Sequence, residues 1–172
     1  GCGVGGQCIA IDKYIISSAF PKEARIIAQA RRINNYKSDW CVEKAKNAIL
    51  TFELKTGRKP QVALMGLAFK PNIDDLRESP AMRIASEILG EFADIDFHVA
   101  EPNIESHKDF KIESYQASYD AADIVLYLTA HKEFFTLPND GTKEILDFCG
   151  ILKEFIWEMI FSIIVYTITA GL

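Results

Sequence analysis

Gly5-Gly6-Gln7-Cys8-Ile9-Ala10-Ile11-Asp12 sets a thiol on a glycine-rich turn with a carboxylate four residues on. Free backbone N–H groups in such a turn can stabilise a thiolate or a developing oxyanion, which would make Cys8 a nucleophile and Asp12 its polar neighbour. The alternative for Cys8 is a small buried hydrophobe, and for Asp12 a solvated charge or a helix cap. The second chemically dense run is Ala68-Phe69-Lys70-Pro71-Asn72-Ile73-Asp74-Asp75-Leu76-Arg77-Glu78-Ser79. It follows an apolar segment that reads as a parallel strand, and ligands of open α/β sheets bind beyond the carboxyl ends of strands. Lys70 and Arg77 offer cations for an anionic ligand beside a helix N-terminus that itself favours phosphate. Equally, Asp74, Asp75 and Glu78 could balance those two cations in an ordinary surface loop.

The elements expected to carry these residues alternate between strand and helix. Gln61 to Leu67 is a continuous apolar run, as expected of a strand buried on both faces. Ser79 with Pro80 behind it caps a helix running to Gly90, whose buried stripe is Met82, Ile84, Ala85, Ile88 and Leu89. Further strands are predicted over 95–100, 124–129 and 144–148, with a helix over 115–122. The order predicts a parallel α/β sheet of Rossmann type. Ahead of it, residues 21–57 read as one long helix or a helix pair, from Pro21 in its first turn to Gly57 at its stop. Such a helix is too long for a domain this small to cover, so one face is expected to pack on another subunit.

The chain has 172 residues, of which 49% are apolar, which suffices for one real core and excludes disorder. Its 24 acidic against 19 basic residues argue against a nucleic-acid or anionic-membrane binder, because both need concentrated positive charge. The four cysteines and three histidines lie too far apart for a structural zinc site, so no metal is expected. With no secretory pattern, the thiols are expected to be reduced and the protein cytoplasmic. Under oxidation a Cys2–Cys8 bridge is conceivable and disfavoured. Cys41 and Cys149 read as structural, and His98, His107 and His131 as non-catalytic.

The two ends are unusual. Residues 1–6 form a glycine-rich loop with no strand before it, unlike a phosphate-cradling loop, and read as the middle of something longer. Phe155 to Leu172 carries Glu158 as its only charge. It is a marginal membrane-span candidate, but Glu158, Thr167, Thr169 and many β-branched residues oppose that, leaving a strand or a tail foreign to the fold.

The runs Gly3-Val4-Gly5-Gly6-Gln7-Cys8-Ile9-Ala10-Ile11-Asp12 and Gly66 to Ala81, with Glu101-Pro102-Asn103 more weakly, resemble the nucleotide-sugar dehydrogenase family, the UDP-glucose and UDP-N-acetyl-D-mannosamine dehydrogenases. The similarity is strongest to the UDP-N-acetyl-D-mannosamine branch and covers residues 1–153. It implies a cysteine-bearing segment over 1–20, a dimerisation helix over 21–57, a Rossmann-like UDP-sugar domain over 58–153 and an atypical tail over 154–172. It also implies oxidation of a sugar alcohol to a uronic acid for surface polysaccharide, with two NAD molecules as oxidant. In that chemistry Cys8 is the nucleophile of a thiohemiacetal and thioester, and Asp12 orients the hydrolytic water. Gly5, Phe69 and Lys70 contact substrate and Arg77 contacts NAD. The resemblance further implies a homodimer through residues 21–55.

Departures from the family pattern are Cys2 in place of a usual Pro, Gln7 for a frequent His, and Lys13 for a frequent Pro. The family's amino-terminal NAD domain has no counterpart in this sequence. The chain alone is therefore expected to turn over little unless a separate NAD-binding chain completes it. The alternative is an inactive remnant that binds UDP-sugar and dimerises. A receiver-like phosphorylation domain is disfavoured, because Asp74 and Asp75 lie well past the strand end.

Overall fold

The computed structural model describes residues 1–152, with the side chains of residues 7–10 outside the described set. Four parallel strands, β1 (Gln61–Met65), β2 (Asp96–Ala100), β3 (Ile124–Tyr127) and β4 (Glu144–Asp147), form one sheet in the order β2-β1-β3-β4. The chain leaves β1 toward one edge and returns from β2 to the other side, so the carboxyl ends of β1 and β3 make a topological switch point. In sheets of this kind that is where ligands bind. The fold is α/β and Rossmann-like, as the sequence predicts.

The central strands β1 and β3 are sandwiched, which explains their apolar character, whereas the edge strands β2 and β4 are only partly buried. Val62, Leu64, Ile124 and Leu126 face one core, formed with Cys41, Val42, Ala45 and Ile49 of the long helix α2 (Arg25–Thr56) and Ile84, Ala85 and Ile88 of α3 (Pro80–Glu91). The alternate residues Ala63, Met65, Val125 and Tyr127 face a second core with Tyr119 and Phe134. That core is closed by α4 (Tyr115–Ala121) and the 3₁₀ turn Lys132–Thr136.

Helix α2 (Arg25–Thr56) has 32 residues, about 48 Å of length, and ends on Gly57 at φ +71° as a left-handed cap. Its start differs from the expectation, since Pro21 lies in a turn ahead of it. Helix α1 (Gln7–Ala19) occupies most of the segment expected as a cysteine-bearing loop, leaving only residues 1–6 irregular. The glycines mask its start, and its apolar residues do not make a one-sided stripe: Ile11, Tyr14, Ile15 and Ile16 are all exposed. Helix α3 (Pro80–Glu91) begins as predicted, with Ser79 Oγ accepting from the Met82 N–H at 3.3 Å and Pro80 in its first turn.

The tail expected over 154–172 lies outside the described residues. Among the described residues no helix is long and apolar enough to cross a membrane.

Candidate functional site

The two sequence runs singled out above, about 60 residues apart, meet in space. Gly5 and Gly6 are buried against the loop that follows β1. A Cβ at Gly5 would sit 2.7 Å from Pro80 Cδ and 3.0 Å from Phe69 Cβ, and would strike the Glu78 carbonyl oxygen. Gly6 lies at φ +94°, and a Cβ there would be 2.9 Å from the Phe69 ring. Only glycine permits this approach.

Side chains from one face of α2 hold the glycine-rich turn. Asn34 Oδ1 accepts from the Val4 N–H at 2.7 Å while its Nδ2 donates to the Val4 carbonyl at 3.1 Å. One turn on, Ser38 Oγ donates to the Cys2 carbonyl at 3.0 Å. Cys8 and Asp12 then fall one turn apart on α1. The Cys8 side chain is outside the described set, and Asp12 is exposed.

Phe69 is half-buried beneath this turn, whereas Lys70 is exposed and takes part in no salt bridge among the described residues. Arg77 is placed differently from a free cofactor contact. Its Nε and Nη2 donate to Asp75 at 2.9 and 2.7 Å, a bidentate pair that holds the Asp75 carboxyl at about 2. The loop thus realises part of its self-balanced surface alternative, and a ligand would have to share Arg77 with Asp75.

Cys2 is buried against Cys41, with its thiol directed at the Leu128 carbonyl. The Cys41 thiol together with burial pushes the Cys2 thiol up. Cys41 is fully buried in the core. Burial, aided by Asp147, pushes Cys149 up to about 12.

His98 and His107 have local roles. His98 lies between Glu113 and Gln61, at 2.9 and 3.1 Å, and His107 Nδ1 accepts from the Asp109 N–H. His131 is fully buried with Glu101, whose Oε2 lies 3.0 Å from His131 Nε2. Burial opposes ionisation of Glu101, but His131 and the Leu67 and Ala68 N–H groups outweigh it and hold the carboxyl below the ordinary carboxylate range. No local sequence signal marks this pair, whose members are 30 residues apart. Their shared position at strand carboxyl ends flanking β1 is the signal that could have found it.

Two cavities border the turn. The switch-point crevice, between Cys2, Phe69, Pro80, Thr129 and Cys149, retains about 140 Å³. On the other side of the turn, about 370 Å³ lies between α2 and α3, lined by Arg31, Asn35, Glu78 and Arg83 among others. Among the described residues no cluster of three His, Cys, Asp or Glu could hold a metal ion. The strand-to-helix loop after β1 carries one glycine, Gly66, at its start, where a pyrophosphate-binding turn needs several.

A parallel Rossmann-like sheet with a cation-bearing loop at its switch point forms a domain suited to an anionic ligand. Residues 63–154 match the model of the UDP-glucose/GDP-mannose dehydrogenase family, UDP binding domain, and the chain belongs to that family. It is 40% identical over 156 residues to the UDP-N-acetyl-D-mannosamine dehydrogenase of Campylobacter jejuni, covering 87% of this chain and 36% of that protein. With the enzyme of the same name from Salmonella typhi the identity is 38% over 163 residues, covering 89% and 39%. Among solved structures, a UDP-N-acetyl-mannosamine dehydrogenase from S. aureus superposes with TM-score 0.65 at 34% identity, covering 84% of this chain and 33% of that one. A UDP-D-ManNAc dehydrogenase from Pyrococcus horikoshii gives TM-score 0.70 at 25% identity, covering 88% and 36%. The chain therefore spans well under half the length of these relatives.

Proposed function

We propose that this chain is the substrate-binding and thiol-bearing portion of an NAD-dependent nucleotide-sugar dehydrogenase that acts on UDP-N-acetyl-D-mannosamine or a closely related UDP-sugar. The observation that carries this reading is the packing of the glycine-rich turn before Cys8 onto the Phe69–Pro80 loop. It sets the candidate nucleophile segment beside the candidate substrate contacts Gly5, Phe69 and Lys70.

In this reading Lys70 and the α3 N-terminus attract the UDP phosphates. The Cys8 thiolate adds to the C6 aldehyde of the sugar to form a thiohemiacetal, and Asp12 orients the water that later cleaves the thioester. NAD, when bound, accepts the hydrides; its main site is not among the described residues, and Arg77 is the contact this chain would lend it. The exposed apolar side chains of α2, Ile26, Ile33, Tyr36 and Leu54, support dimerisation through residues 21–55. The product, a uronic acid, would serve surface polysaccharide synthesis.

NADH production from UDP-N-acetyl-D-mannosamine, run beside separate titrations of UDP and NAD, tests the reading. UDP binding is expected, with turnover only in the presence of an NAD-binding domain and only while Cys8 is intact. Turnover that survives Cys8→Ala would contradict it. The pairing of Arg77 with Asp75, which engages the candidate cofactor contact within its own loop, favours one second reading, a catalytically inactive UDP-sugar-binding and dimerisation module. UDP binding that no added NAD-binding chain converts into turnover would select it.

A further inference from the structure

Glu101 and His131 are fully buried, belong to different strand ends, and both bond the loop that follows the strand between them. Glu101 Oε2 accepts from the Leu67 N–H at 2.7 Å and the Ala68 N–H at 2.9 Å. His131 Nδ1 lies 3.0 Å from the Asn72 backbone nitrogen and 2.9 Å from Asn103 Nδ2. A backbone N–H can only donate, so Nδ1 carries no proton and the imidazole proton sits on Nε2, where it donates to Glu101. Asn103 completes the set by donating to Glu101 Oε1 from its own N–H at 3.2 Å and from Nδ2 at 3.1 Å.

Around this pair the loop is fixed on both sides. Thr129 Oγ1 donates to the Ala68 carbonyl at 2.6 Å, and the Lys132 N–H donates to Asn72 Oδ1 at 2.9 Å. Asn72 itself lies at φ +60°, a left-handed conformation that asparagine tolerates and that the two bonds hold in place. Residues 67, 68 and 72 are thus pinned from beneath, and the span left between the pins is Phe69-Lys70-Pro71.

We propose that His131, backed by Glu101, is a positioning residue that presets the Phe69–Lys70 segment for the nucleotide-sugar, so that ligand affinity depends on which ring nitrogen of His131 is reproduced. The inference rests on the UDP-sugar reading above. A pure stability role for a buried, hydrogen-bonded pair is the competing explanation, and the two make opposite predictions for a pair of amide substitutions. In His131→Gln the side-chain amide reaches the place of Nε2, keeps the bond to Glu101 and loses the hold on Asn72. In His131→Asn it stands in for Nδ1, keeps an acceptor for the Asn72 N–H and leaves Glu101 short of a donor.

The test is calorimetric titration of UDP into the wild-type chain and both variants, with thermal melting of each. The expected result is a crossed order: H131N melts lower than H131Q, yet H131Q binds UDP about tenfold more weakly than wild type while H131N stays within about threefold. If affinity follows melting temperature instead, with H131N the worse binder, or if neither variant changes affinity, the positioning role is overturned and the pair serves stability alone. A wild-type chain that binds no UDP overturns the UDP-sugar reading itself, an outcome visible before either variant is compared.

Discussion

The three cysteines other than Cys8 are shielded from reagents. Cys2 is buried and pushed up by the neighbouring Cys41 thiol and by burial, Cys41 is inaccessible, and Cys149 is pushed up to about 12. Reactivity follows thiolate fraction and access. Brief iodoacetamide labelling near neutral pH, read by peptide mass spectrometry, should therefore modify Cys8 first. Faster labelling of Cys41 or Cys149 would mean that the glycine-rich turn does not activate its thiol. Gly5 permits a sharper test of packing, because a methyl group there collides with Pro80, Phe69 and the Glu78 carbonyl. Gly5→Ala should cost about 1–3 kcal/mol in denaturant unfolding, and a neutral result would show that the two segments can separate.

Among the elements, the sequence marked those whose signals are local. The unbroken apolar run of β1 and the Ser79-Pro80 start of α3 are visible because a doubly buried strand and an N-cap each write a pattern into consecutive residues. Helix α1 was hidden by the glycines before it and by an apolar composition without a dominant stripe. His131 was hidden because its partners, Glu101 and Asn72, come from other strand ends, which only the sheet order brings together. Cys8 and the Phe69–Lys70 segment were recognisable as motifs, but their approach through Gly5 and the clamp by Asn34 are products of tertiary packing. Asn34→Ala removes both bonds to Val4 and should lower stability by about 1–2 kcal/mol while slowing Cys8 labelling. Unchanged labelling would mean that α2 does not order the turn. Glu101 makes the switch-point layer sensitive to acid. Its carboxyl is held below the ordinary range in the folded state, so it stabilises the fold fully above the unfolded-state value and loses that contribution as pH falls toward the folded one. Unfolding free energies measured from neutral to acid pH should fall in that window, and Glu101→Gln should flatten the fall; an unaltered slope would assign it to other carboxylates.

For the molecule as a whole, α2 presents Ile26, Ile33, Tyr36 and Leu54 to solvent while its other face seals the sheet. An exposed apolar row on a helix about 48 Å long is expected to find a second copy. Light scattering should report a dimer, and Ile33→Asp should shift it to monomer with the melting temperature little changed. A wild-type monomer would remove the proposed interface. Nucleotide recognition by the loop at the switch point is tested by calorimetric titration of UDP into the wild-type chain and into Lys70→Ala. Lys70 is exposed, so the substitution should leave the fold intact. Saturable binding to the wild type, weakened about tenfold or more by Lys70→Ala, is the expected result. Equal affinity in both chains, or none in the wild type, would contradict the account.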